Sequence, residues 1–160
     1  MKNIKLLLPI LFVCLATSAQ LVEQVIDGDT YKVLDKGKFT TIRLANVDAP
    51  ELSQYYGKSV KASVSKLILG KSITLDVRRN DRYGRTIADV MIDGLSLDSL
   101  LVVKGWAWHY VSCSLNPDLT IYQNHAARLN KGMWKCKHNI PPWEWRKLSK
   151  KQKRLKEMCR

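Results

Sequence analysis

Five ionisable side chains from three separated stretches give this 160-residue chain its capacity for chemistry: Asp29 in "VIDGDTYKV", Arg43, Asp48 and Glu51 in "IRLANVDAPE", and Arg85 in "DRYGRTIADV". Two carboxylates held side by side raise each other's pKa unless a cation separates them. Asp29 and Asp48 would be such a pair if the strands that carry them lie side by side, and hard carboxylate oxygens with a free backbone carbonyl suit Ca²⁺ or Mg²⁺. Arginine is the natural donor to phosphate, because its planar fork makes two parallel charged hydrogen bonds and stays protonated. Arg43 and Arg85 converging on one phosphate would stabilise the charge that builds as a fifth oxygen ligand arrives. Glu51, if within hydrogen-bond reach, would activate water as a general base or orient it. Taken singly, each piece has a plainer reading. Asp27-Gly28-Asp29 and Asp48-Ala49-Pro50 are turn-forming tripeptides, and a lone arginine commonly sits in a surface ion pair.

Such a set needs a scaffold that brings distant segments to one rim. "LVEQVI", "TYKVLD" and "FTTIRLANV" read as three short strands, broken at Asp27-Gly28-Asp29 and at Asp35-Lys36-Gly37-Lys38. Asp29 begins the second and Asp48 follows the third, so antiparallel pairing would set the two carboxylates side by side. Val60, Val64, Leu67 and Ile68 form one apolar face, which predicts a helix over residues 58–69, ended by Gly70. "KSITLDVRR" and "TIADVMID" alternate around "NDRYGR", a hairpin whose turn carries Tyr83, Gly84 and Arg85. Further helices are expected over residues 97–104 and from Asn116-Pro117-Asp118 onward, the latter with Leu119, Tyr122, Ala126 and Leu129 as its buried stripe. Three strands, a helix, two strands and more helices predict an α+β fold, mainly β with about three capping helices on a five-stranded OB-type barrel.

Residues 1–19 carry Lys2 and Lys5, the apolar "LLLPILFVCLA" and the small "TSA", the pattern of a cleaved secretory signal. The apolar run, interrupted by Pro9, is shorter than the roughly 20 residues of a spanning helix. A secreted or periplasmic monomer with no stable membrane insertion is therefore expected. Residues 20–145 fit one compact domain, and residues 146–160 form a basic tail with eight Lys/Arg against one Glu. The formal charge of +13 favours polyanions, nucleic acid first and acidic lipid second. Cys113, Cys136 and Cys159 remain after the leader, in a compartment where disulfides form. A Cys113–Cys136 bridge flanking one predicted helix is the expected pairing, with three independent thiols as the alternative. Neither the cysteine spacing nor the scattered His109, His125 and His138 has the pattern of a zinc centre.

"VIDGDTYKV", "IRLANVDAPE", "YGKSV" and "DRYGRTIADV", in that order and with similar gaps, resemble the staphylococcal nuclease family. "GWAWHY" and "PPWEWR" resemble segments of its secreted bacterial members, so the likeness covers roughly residues 22–146. The resemblance implies a Ca²⁺ held by Asp29, Asp48 and the backbone carbonyl of Ala49, which stands where the founding member has threonine. It implies essential arginines at Arg43 and Arg85, a catalytic glutamate at Glu51 and a substrate-contacting tyrosine at Tyr83. The implied reaction is hydrolysis of DNA and RNA phosphodiesters, with water attacking and the 5′ oxygen leaving to give 3′-phosphate ends. The loop after Glu51 is shorter than the lysine-rich loop of the founding nuclease. The tryptophans of "GWAWHY" and "PPWEWR" are expected to cover the core rather than stack on bases. The rival reading is a non-catalytic barrel that binds single strands, for which a glutamate beside phosphate has no use.

Overall fold

The computed structural model describes residues 19–156. Apart from Ala19, the expected leader lies outside the described residues, as do the last four residues of the basic tail. In chain order the elements are β1 (Gln20–Val25), β2 (Thr30–Asp35), β3 (Lys38–Leu44), β4 (Val47–Asp48), α1 (Gly57–Ile68), β5 (Ser72–Asn80), β6 (Thr86–Ile92), β7 (Leu95–Ser96), α2 (Leu97–Val103), β8 (Trp108–His109) and α3 (Asp118–Arg128). A 3-10 turn (Gly132–Lys135), the short α4 (Pro142–Trp145) and α5 (Lys150–Lys156) complete them.

The expected barrel forms. β1 pairs antiparallel with β2 and β5, β2 with β3, and β5 with β6, while a parallel pairing of β3 with β6 closes the ring. Closure removes free sheet edges. It also places Arg43 opposite Thr30 on one side and Ile87 on the other, so β3 joins the two halves of the predicted meander and hairpin. β7 extends β6, and β4 pairs with β8 as a separate two-stranded ribbon.

Val22, Tyr31, Val33 and Ile42 fill the barrel, and Val60, Val64 and Ile68 of α1 join the same core. That is the predicted apolar face of α1, with Leu67 half-buried beside it. Ser96 caps α2 by accepting the Ser99 N–H, and Asn116 accepts the Asp118 N–H at the start of α3. The predicted stripe of α3 is narrower than expected. Leu119 and Ala126 are buried, whereas Tyr122 and Leu129 reach solvent, because α3 leans on α2 along one edge. α5 buries no residue, and no helix of the described residues is long and apolar enough to cross a membrane.

The expected Cys113–Cys136 bridge is not there. Cys113 is a free, exposed thiol, whereas Cys136 is disulfide-bonded. The two are anchored to different parts of the fold. The turn holding Cys113 hangs on the Tyr110 carbonyl, and the adjacent Leu115 N–H donates to Asn46. Cys136 instead follows the 3-10 turn, which is tied to Gly105 through the Met133 N–H.

A buried polar knot holds β6, α2 and the segment after β3 together. Asn46 Nδ2 donates to Asp89 Oδ1 at 2.6 Å and to Asp98 Oδ2 at 2.8 Å, while Arg78 donates to Asn46 Oδ1 and to both oxygens of Asp89. Burial raises the Asp98 carboxyl to about 6, against the hydrogen bond from Asn46 that lowers it. Its Oδ1 has no hydrogen-bond partner among the described residues. Because the folded pKa lies above the unfolded one, the native state holds a proton that the unfolded chain releases. Asp98 therefore costs stability as pH rises from about 4 to about 6, and the cost stays constant above. Asp98→Asn should leave stability unchanged below pH 4 and raise it by up to ~3 kcal/mol at pH 7, as read from urea unfolding at both pH values.

Candidate active site

Arg43 sits at the mouth of the barrel, between the two carboxylates that the sequence pairs. Its Nη1 lies 2.8 Å from Asp29 Oδ2, and its Nη2 lies 2.8 Å from Asp48 Oδ1. The Val47 carbonyl accepts a further bond from Nη1 at 3.0 Å. Asp29 reaches this point because β2 starts directly opposite Arg43 and because the preceding turn is fixed from below: the buried Tyr31 hydroxyl donates to the Gly28 carbonyl at 2.9 Å. The Ala49 N–H donates to Asp29 Oδ2 at 2.6 Å, so the third predicted metal-site residue closes over the first. Burial raises the Asp29 carboxyl to about 7, with Arg43 opposing and with Asp27 and Asp48 adding to the rise. Asp29 and Asp48 hold Arg43 protonated despite its burial.

Glu51 leaves the same strand end through a tight turn. Its N–H donates to Gln54 Oε1, its carbonyl accepts the Gln54 N–H, and the Gly57 backbone packs against that carbonyl where a Cβ would overlap it. Gln54 Nε2 in turn donates to the Ile140 carbonyl at 2.6 Å, and the Trp145 indole N–H donates to Ser53 Oγ. The C-terminal segment "PPWEWR" is thereby docked on the Glu51 turn. Its last residue, Arg146, donates from Nη2 to Asp48 Oδ2 at 2.7 Å and from Nη1 to Glu51 Oε1 at 2.8 Å.

Arg85 comes from the β5–β6 hairpin, whose turn is organised by Asp81. The Asp81 carboxylate accepts the Tyr83 and Arg85 N–H groups and the Arg85 Nε, and Gly84 supplies the positive φ that the turn requires. Tyr83 is largely exposed, with the Arg82 and Arg85 guanidinium groups over its ring. Asp29, Arg43, Asp48, Glu51, Tyr83 and Arg85 all line one open cleft of about 590 Å³.

The aromatic segments pack as expected. Trp108 meets Trp134 and Trp143 edge-on with centroids 4.3 and 5.9 Å apart, and Tyr110 stacks on Trp143 at 5.4 Å. Of this cluster only Tyr110 borders the cleft, where Cys113 also lies.

The sequence model of the family described as staphylococcal nuclease homologue matches residues 41–136. The chain belongs to the staphylococcal nuclease family. An uncharacterized endonuclease of Escherichia coli O157:H7 is 39% identical over 126 residues, covering 78% of this chain and 82% of its own length. One from Haemophilus influenzae is 36% identical over 130 residues, covering 81% and 73%. A staphylococcal-like nuclease of Arabidopsis thaliana is 36% identical over 106 residues, 66% of this chain and 33% of the plant protein.

No group of three or more His, Cys, Asp or Glu residues among the described residues is arranged to hold a metal ion. Asp29, Asp48 and Ala49 line the cleft together and offer carboxylate and carbonyl oxygens there. These are hard oxygens, and both carboxylates already draw cationic partners, so the residues fit a calcium-type ion. Arg146 is the site residue that sequence reasoning missed. Its signal was the "PPWEWR" resemblance, which the basic composition of the tail that follows obscured.

Two consequences are measurable. A Cβ at Gly28 would lie 2.5 Å from Ala49 Cβ and 2.7 Å from Val60 Cγ1, so Gly28→Ala must push the Asp29 turn off Ala49. Thermal unfolding should show a loss of ~1–3 kcal/mol. Alkylation of the folded protein without reductant should label Cys113 and spare Cys136 until reduction, as read by peptide mass mapping.

Proposed function

We propose that this protein is a Ca²⁺-dependent endonuclease that hydrolyses DNA and RNA phosphodiesters by water attack, expelling the 5′ oxygen and leaving 3′-phosphate ends. One observation carries the reading: the Asp29–Arg43–Asp48 cluster, Glu51 and the Arg85 hairpin, from three separate segments, face one cleft. A binding barrel would need the basic side chains but not a glutamate among them.

Each residue has a role that its environment suits. Asp29 and Asp48, with the Ala49 carbonyl, would hold the ion, which when bound supplies positive charge to the phosphate. Arg43 and Arg85 donate charged hydrogen bonds to phosphate oxygens, strongest when the extra negative charge of the five-coordinate state has developed. Glu51 has its side chain 37% exposed at the rim, where it can take a proton from an incoming water. Tyr83, exposed on the hairpin beside Arg82 and Arg85, positions the strand beyond the scissile phosphate. The leader-like segment and the disulfide at Cys136 support work outside the cytoplasm, in medium or periplasm.

The mature protein is expected to degrade both single-stranded DNA and RNA in Ca²⁺ and to stop when a chelator is added. Glu51→Gln should lower kcat by about 10²–10⁴ with little change in thermal stability. Intact DNA and RNA after incubation of the wild type in Ca²⁺ would sink the enzyme reading, and undiminished cutting by Glu51→Gln would remove Glu51 from its role.

A further inference from the structure

We propose that Arg146 is a third phosphate-binding arginine of this site, parked across Asp48 and Glu51 while no metal ion is bound and released to the substrate when one enters. The inference rests on the metal-dependent nuclease reading above.

The contacts set the competition. Asp48 is almost wholly buried, and its two oxygens face two guanidinium groups, Arg43 on Oδ1 and Arg146 on Oδ2, with a longer Arg146 bond of 3.2 Å to Oδ1. Arg146 reaches Glu51 with the same head group. A cation approaching Asp48 must therefore displace one of the two guanidinium groups. Arg43 is poorly placed to go: its side chain is 13% exposed, and it is also bonded to Asp29 and to the Val47 carbonyl. Arg146 is 46% exposed, and among the described residues its ion pairs are with the two carboxylates that the reaction needs free.

Release has a defined destination. The backbone under Arg146 is held by buried Trp145, by the Gln54–Ile140 bond and by Trp143 stacked on Tyr110, which keeps the base of the side chain at the cleft that it already lines. Once Asp48 has turned to a metal ion, the strongest remaining anion for a planar fork in that cleft is the phosphate held by Arg43 and Arg85. The same residue would then oppose metal binding in the resting enzyme and assist phosphate binding in the loaded one.

Calorimetry separates these effects on the folded full-length protein. The metal alone is titrated first. A deoxynucleoside 3′-phosphate, which has no diester left to cut, is then titrated at saturating Ca²⁺. Arg146→Met should bind Ca²⁺ about tenfold more tightly than wild type and the nucleotide about tenfold more weakly. Arg146→Lys, which keeps the charge without the fork, should fall between in both, and metal-free melting curves confirm that both variants fold. Unchanged or weaker Ca²⁺ binding by Arg146→Met overturns the proposal, and so does unchanged nucleotide binding. Absence of Ca²⁺ binding in both wild type and Arg146→Met would instead overturn the metal-dependent reading beneath it.

Discussion

A guanidinium buried at the rim of a small barrel is expensive unless its charge is answered at close range, and the carboxylates around it are under the same constraint. Arg43, Asp29 and Asp48 meet this condition jointly, with two contacts of 2.8 Å and side chains 13%, 7% and 2% exposed. Both carboxylates favour the charged form of Arg43, and Arg43 in turn opposes the rise that burial imposes on Asp29. The chain is committed to holding the start of β2, the end of β3 and β4 at fixed separations. Ala49 adds its N–H to Asp29, and Tyr31 fixes the turn through Gly28. The candidate metal site is thus organised by an arginine that would not itself touch the metal.

Barrel closure turns this local cluster into a complete site. β3 is paired on both sides, so the strand carrying Arg43 is also the neighbour of β6, whose hairpin turn carries Arg85. An open meander would leave that hairpin free to swing. Beyond the barrel, β4 pairs with β8, and the Tyr110 N–H donates to the Asn46 carbonyl. The segment after β3 is therefore held from the helical side as well, through Asn46 and its bonds to Asp89 and Asp98.

What the sequence displayed and what it hid follow a physical division. Strands, helices and turns rest on local signals, and most fell where alternation, the α1 stripe and the Asp-Gly breaks put them; the third strand, expected to run on through Val47, instead divides into β3 and β4, the latter paired with β8. Asp29, Arg43, Asp48, Glu51 and Arg85 were visible because each is embedded in a run with its own turn chemistry, and the order of those runs is that of the family. Contacts between distant segments were less visible. Proximity to one helix points to a Cys113–Cys136 pairing, whereas the fold anchors the Cys113 turn to the Asn46 knot and the segment before Cys136 to Gly105. Tyr122 and Leu129 had the right period for burial, but period does not reveal how much of a helix its neighbour covers. Arg146 opens a run of lysines, and composition alone reads such a run as solvated.

The aromatic cluster explains why that first tail residue behaves unlike the rest. Trp145 is buried, and its indole N–H reaches Ser53 in the Glu51 turn; Trp143 stacks on Tyr110 at the edge of the cleft. These large, stiff side chains fix a backbone at low entropic cost, and the position they fix is next to the residue whose side chain reaches Asp48 and Glu51. The lysines beyond it have no such anchor, and α5 buries nothing. The Arg146 side chain is 46% exposed although its partner Asp48 is 2% exposed, so the pair joins a solvated cation to a buried carboxylate. The tryptophans place this cation against Asp48 and Glu51, so they, rather than the charge of the tail, make Arg146 part of the site.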